Sequence, residues 1–227
     1  MLPSSWLRLL HQQRAIAVIR CSQFEVGQQM AKAVAKGGIR LIEITWNSDR
    51  PAELIRWLRS TLPDHWIGAG TLLTQAQVKD AIAAGAQFLF TPHVAPDLIR
   101  LATAQDVPMV AGALSPTEIV QAWQAGAASV KVFPVQAMGG VQYIQSLQGP
   151  LGEIPLIPTG GVTVENTSEF LTAGAIAVGL SGSLFPKQAI SQGDWQTISQ
   201  RASNLINGTG SPDATLSEKS ETIRNQQ

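Results

Sequence analysis

The chain has 227 residues, 44% of them hydrophobic and 14% charged, which is enough to bury one large core or two small ones. Sixteen Lys and Arg balance sixteen Asp and Glu, so no basic excess is available to grip nucleic acid or another polyanion by charge alone. A single cysteine, Cys21, excludes an internal disulfide framework and a multi-thiolate metal site, and it fits a reducing compartment.

The N-terminal stretch MLPSSWLRLLHQQR holds an apolar run too short and too interrupted for a signal peptide or a membrane span. It reads as an amphipathic helix, and the expectation is a cytoplasmic protein with neither a membrane nor a nucleic-acid partner. Beyond it, short β-branched apolar runs alternate with longer segments of helical spacing. The expected strands are AIAVIR (15–20), LIEITW (41–46), WIGAGT (66–71), FLFTP (88–92), PMVAGA (108–113), SVKVFP (129–134), PLIPTG (155–160) and AIAVGL (175–180), each followed by a helix-like segment. Gly37, Gly85, Gly126 and Gly174 share one punctuation, standing where a left-handed helix C-cap is wanted. They precede strands two, four, six and eight, so the repeat is a two-strand, two-helix unit and not a solenoid module. Ser or Thr ahead of an acidic residue marks helix starts at SPTE (115–118) and TVEN (163–166). Residues 1–208 read as a single domain, and 209–227, almost without large apolar residues, as a disordered tail.

Helices alternating with strands that are apolar on both faces imply a parallel sheet covered by helices, either closed or doubly wound. A count near eight, without a glycine-rich dinucleotide fingerprint after the first strand, favours a (β/α)8 TIM barrel with an extra N-terminal helix. Active sites of such barrels collect at the C-terminal ends of the strands. Arg20 ends the first strand, Glu43 and Thr45 share one face of the second, Thr71 ends the third, and Pro92 and His93 end the fourth. Lys131 and Phe133 share one face of the sixth. Strands seven and eight end in PTGGVT and GLSGSLF, two glycine-bearing turns placed where barrels commonly bind phosphate.

Each residue also has an ordinary reading. Lys131 could snorkel to water with Glu43 as its structural ion-pair partner. Gly160 and Gly161 could form a simple turn, Ser183 a helix cap, and Thr71 and Phe133 barrel packing. Convergence on one rim favours chemistry, because a buried pair is seldom kept for stability alone. A desolvated lysine releases its proton more readily, attacks a carbonyl and gives a protonated imine that accepts electrons, while the neighbouring carboxylate shuttles protons. His11, His65 and His93 lie on three elements without ligand spacing, so no metal site is expected.

From about Arg14 to Pro186, AVIR, GGIRLIEIT, GAGTLL, FTPHV, VKVFP, PTGGVT and SGSLF follow one another in an order that closely resembles a known family. These are the class I 2-keto-3-deoxy-6-phosphogluconate (KDPG) and 4-hydroxy-2-oxoglutarate (KHG) aldolases, small barrels that often form homotrimers. The resemblance implies a cofactor-free Schiff-base lyase acting on a 2-keto-3-deoxy sugar-acid phosphate, as in the Entner–Doudoroff pathway. KDPG would yield pyruvate and glyceraldehyde 3-phosphate, and 4-hydroxy-2-oxoglutarate would yield pyruvate and glyoxylate. It also implies that Lys131 forms the Schiff base and Glu43 is the general acid/base. Arg20, Thr71, Pro92 and Phe133 would line the pyruvate region, and Gly160, Gly161, Gly182 and Ser183 would hold the phosphate.

One departure falls in EITWNS. Asn47, counted with the substrate-binding residues, stands where many phosphogluconate-type members carry arginine, and its Asn-Ser pair is similar to the 2-keto-3-deoxy-6-phosphogalactonate (KDPGal) aldolases. The C4 epimer therefore stays open. A phosphosugar isomerase or epimerase with Glu43 as base, and a non-catalytic phosphometabolite-binding barrel, are the alternatives from other classes.

Overall fold

The computed structural model describes residues 3–209. Its strands are β1 (Ala15–Ile19), β2 (Leu41–Thr45), β3 (Trp66–Gly70), β4 (Leu89–Phe90), β5 (Met109–Ala113), β6 (Ser129–Val132), β7 (Leu156–Pro158) and β8 (Val178–Leu180). All pair in parallel with their neighbours in chain order, β8 returns beside β1, and a bridge between Thr159 and Gly179 closes the seam between β7 and β8. The result is the expected α/β barrel. Around it stand α1 (Pro3–Gln13), α2 (Phe24–Lys36), α3 (Pro51–Thr61), α4 (Gln75–Ala83), α5 (Pro96–Thr103), α6 (Pro116–Gln124), α7 (Val141–Leu151), α8 (Thr167–Thr172), α9 (Lys187–Gln192) and α10 (Trp195–Gly208).

The two-residue period of a strand sorts its side chains into two cores. Ile42 and Ile44 face outward into the helix-covered shell, while Ile16, Val18 and Leu41 join the cluster that fills the barrel. The amphipathic α1 plugs the lower end by inserting Trp6 and Leu10, both fully buried. Trp6 lies 5.3 Å from Phe88, which meets Phe90 edge-on at 5.9 Å, an aromatic column rising through the lumen. The indole N–H of Trp6 is satisfied by Ser129 Oγ at 3.1 Å. Emptying a site of this kind by an aromatic-to-alanine change costs roughly 3–5 kcal/mol.

Local signals agree with the fold except at two places. Ser115 and Glu118 form the capping box that SPTE announces, and Gly85, Gly126 and Gly174 adopt φ of +94°, +95° and +102°. Gly37 does not: its φ is −78°, and the left-handed residue of that turn is Gly38 at +97°. A Cβ on Gly37 would lie 2.4 Å from the Ala202 methyl, so this glycine serves the close approach of α10 and not the turn. At TVEN, Thr163 and Asn166 exchange reciprocal side-chain-to-backbone bonds that close a turn, and α8 begins only at Thr167. The tail expected over 209–227 lies outside the described residues, apart from Thr209, which caps α10.

Candidate active site

At the C-terminal ends of the strands a cavity of about 560 Å3 opens above the aromatic column, a size suited to a small metabolite. Arg20, Glu43, Thr71, Pro92, Lys131, Phe133, Gly160, Gly161, Gly182 and Ser183 all line it. Asn47 does not: it sits exposed on the turn after β2, outside the wall. Behind that turn Ser48 is buried, its hydroxyl 3.1 Å from Thr45 Oγ1 and accepting the Cys21 N–H. Asn47 is thus held at the rim by its neighbour while its own side chain faces solvent.

Lys131 projects inward from β6 and is 7% exposed, and Glu43 projects inward from β2 and is 1% exposed. The Lys131 ammonium lies 5.9 Å from the Phe90 ring centroid below it and 4.6 Å from that of Phe133. Burial among these apolar groups pushes the lysine below its usual range. Glu43 opposes that shift, and Arg20 adds to it. Burial likewise raises the Glu43 carboxyl, against the pull of Lys131 and Arg20. Yet the two do not form a contact ion pair: no such pair occurs within 4 Å, and Glu43 Oε1 is buried without a hydrogen-bond partner. The ordinary reading of a structural salt bridge therefore lacks its geometry. What remains is an enclosed amine and an enclosed, unpartnered carboxyl facing one lumen.

Thr71, at the end of β3, has φ of +58°, a conformation rare for a β-branched residue and a sign of strain of about 1–3 kcal/mol held by its surroundings. Gly160 and Gly161 have φ of +81° and +100°, and the second could not carry a Cβ, which would lie 2.4 Å from Gln136 Cβ. Among the described residues, the N–H groups of Gly161, Gly182 and Ser183 donate to no protein acceptor. They edge the same end of the cavity. Successive free backbone N–H groups in a turn, as at Gly182 and Ser183, make an anion-binding concavity.

A groove of about 580 Å3 between α2 and α10 is comparable in size, but its Lys32 and Lys36 are exposed and keep their hydration. Among the described residues, no group of three or more His, Cys, Asp and Glu is placed to hold a metal ion. Sequence reasoning had not assigned Thr159, Thr163 and Ser181 to the wall. Thr159 was detectable as the residue that ends β7 just before the glycine pair, the same kind of position that Arg20 and Thr71 occupy.

A family model of the KDPG and KHG aldolases matches residues 7–201. The chain belongs to the KDPG and KHG aldolase family. It is 32% identical over 193 residues to the 2-dehydro-3-deoxy-phosphogluconate aldolase of Dickeya dadantii, covering 85% of this chain and 91% of the relative. A crystal structure of KDPG aldolase from Legionella pneumophila, with pyruvate captured as a covalent carbinolamine, superposes with a TM-score of 0.82 at 28% identity, over 90% and 98% of the two chains. A native KDPGal structure superposes at 0.77 with 30% identity, over 86% and 93%. The chain is accordingly an aldolase, a carbon–carbon lyase of the KDPG type, on a TIM-like barrel.

Proposed function

We propose that this aldolase cleaves 2-keto-3-deoxy-6-phosphogluconate to pyruvate and glyceraldehyde 3-phosphate through an imine on Lys131. The observation that carries the reading is the enclosed, unpaired Lys131–Glu43 couple. Desolvation lowers the Lys131 pKa and so favours the neutral amine, which attacks the C2 carbonyl of the substrate. Proton transfer and loss of water give a protonated imine. Glu43, directly or through a water, then accepts the C4 hydroxyl proton as the C3–C4 bond breaks. The bonding pair moves into the imine as an enamine, and the aldehyde leaves. Protonation at C3 and hydrolysis release pyruvate and restore the amine. Arg20 offers a forked donor to the substrate carboxylate, while the turns at Gly160–Gly161 and Gly182–Ser183 hold the phosphate.

Cleavage of 4-hydroxy-2-oxoglutarate follows from the same pyruvate end. The phosphogalactonate epimer is a second reading, favoured by the Asn47–Ser48 pair and by the likeness to the KDPGal structure. Family resemblance further supports a cytoplasmic homotrimer, whose interfaces would cover apolar side chains such as Leu73, exposed by 52%. Light scattering checks that assembly. Incubation with pyruvate and borohydride, followed by intact-mass measurement, tests the chemistry. The wild type should gain one stable adduct on Lys131, and Lys131→Ala should lose both adduct and cleavage while keeping its fold. An adduct retained by the variant, or mapped to another lysine, overturns the mechanism.

A further inference from the structure

Ser183, at the proposed phosphate end, is gripped from behind by the last helix. Its hydroxyl oxygen accepts the Val164 N–H at 3.1 Å and Arg201 Nη2 at 3.4 Å. Arg201 Nε donates to the Ser183 carbonyl at 2.7 Å, and the same Nη2 faces Glu165 Oε1 at 3.4 Å. A serine hydroxyl carries two acceptor lone pairs and one hydrogen. With both lone pairs engaged by N–H donors, only the hydrogen is left to act elsewhere, and the open side of Ser183 is the cavity. The hydroxyl is thereby turned into an obligate donor, suited to an anion that only accepts. Holding the Ser183 carbonyl also fixes the turn whose Gly182 and Ser183 N–H groups have no protein acceptor.

We propose that Arg201 is a positioning residue for the substrate phosphate: by binding both the hydroxyl and the carbonyl of Ser183, it aims the donors of the β8 turn into the cavity. The inference rests on the aldolase reading above. Arg201 does not line the cavity, so its effect passes through Ser183. The simpler alternative is that Arg201 only ties α10 to the barrel. Such a tether would weaken every reaction of the enzyme alike or lower the melting temperature, without touching the choice between phosphorylated and unphosphorylated compounds.

The test compares Arg201→Gln, Arg201→Lys, Ser183→Ala and the Ser183→Ala/Arg201→Gln pair. Readouts are kcat and KM for the phosphorylated sugar acid, and the rate of pyruvate trapping by borohydride, which involves no phosphate. Arg201→Gln should lower kcat/KM for the phosphorylated substrate by about 10- to 100-fold, the range for hydrogen bonds to a charged group. Most of the loss should fall in KM, and pyruvate trapping should stay within about twofold, since no group at the imine has changed. Arg201→Lys keeps the charge but not the fork, so it should recover only part of the loss. The double variant should lose clearly less than the sum of the two single losses, because part of the Arg201 effect acts through the Ser183 hydroxyl, while its hold on the Ser183 carbonyl survives Ser183→Ala. Equal losses in cleavage and trapping, additive losses in the double variant, or no loss at all would overturn the proposal. If Arg201→Gln does not fold, the same split read in Arg201→Lys decides. Failure of wild-type trapping would instead remove the aldolase reading itself.

Discussion

Gly70 leaves the space that the Glu43 carboxylate occupies: a Cβ built on Gly70 would lie 1.7 Å from Glu43 Oε1 and 2.4 Å from Glu43 Cδ. Thr45 and Gly70 are register partners on β2 and β3, so the missing side chain on one strand creates a berth for the acid on the next. Glu43 lines the cavity, so a methyl on Gly70 would push its carboxyl out of this berth toward the lumen. Gly70→Ala should keep the fold at an overpacking cost of about 1–3 kcal/mol. Turnover should fall by roughly 10²–10⁴-fold, the span for a displaced general acid/base. Glu43→Gln should do the same, and the double variant should be little worse than either one. Steady-state kinetics beside thermal melts checks this, and near-normal turnover in Gly70→Ala would show that the carboxyl need not sit where Gly70 admits it.

That berth also shows where reading a sequence stops. β-Branched runs and glycine punctuation made the eight strands legible, because strand period and helix termination are local properties. Lys131 stood out for the same reason, as a charge inside an apolar run. Gly70 did not, and Gly37 stood out only as a C-cap, since what each accommodates, Glu43 in one case and Ala202 in the other, comes from a distant part of the chain. Arg201 was invisible too. It lies beyond the recognisable motifs, and only folding brings α10 against Ser183. Asn47, counted with the substrate-binding residues for the place it takes in the family pattern, stands outside the cavity wall, because only folding shows which way the turn after β2 faces.

The pH dependence of imine formation should carry the signature of the charges around Lys131. The free amine is the nucleophile, so trapping should rise with pH through the lysine pKa, with an inflection below the usual lysine range because burial depresses it. Glu43 holds that pKa up, so Glu43→Gln should move the inflection to lower pH. Arg20 holds it down, so Arg20→Gln should move it to higher pH. Trapping rates across a pH series in the three proteins test the signs, and shifts in the same direction would refute the electrostatic assignment.

Strain at Thr71 should trade stability against activity. Glycine adopts φ of +58° freely, relieving the side-chain strain. It also loosens the unfolded chain by about 0.4–1 kcal/mol, less than the relief of about 1–3 kcal/mol, so the melting temperature should hold or rise slightly. Activity should nevertheless fall, because the hydroxyl and methyl that line the cavity are gone. If Thr71→Gly keeps full kcat/KM, its strained conformation has no part in the reaction.

An imine that accepts the electrons of C–C cleavage takes the place of a Lewis acid. Activity should therefore survive exhaustive treatment with EDTA. Loss on chelation, restored by zinc or manganese, would point to metal-stabilised enolate chemistry and require another role for Lys131.

Position 47 can act on the C4 epimers only from the rim of the cavity. Asn47 is a short neutral amide on an exposed turn, outside the cavity wall, so no permanent cation reaches in from this position to favour one orientation of the C4 hydroxyl. Selection there is left to Glu43, Thr45 and Thr71, which stand around the lumen. The wild type should consequently cleave both the phosphogluconate and the phosphogalactonate epimers at measurable rates. Asn47→Arg places a long charged fork on the rim, and its exposed site should admit it with a stability change within about 0.5 kcal/mol. The fork should hydrogen-bond one epimer better than the other, changing the ratio of their kcat/KM values by about tenfold, as one charge-assisted hydrogen bond allows. Side-by-side kinetics on both epimers, with 4-hydroxy-2-oxoglutarate as the phosphate-free reference, measures this. Strong exclusion of one epimer by the wild type would show that the wall alone discriminates, and an unchanged ratio in Asn47→Arg would remove position 47 from substrate selection.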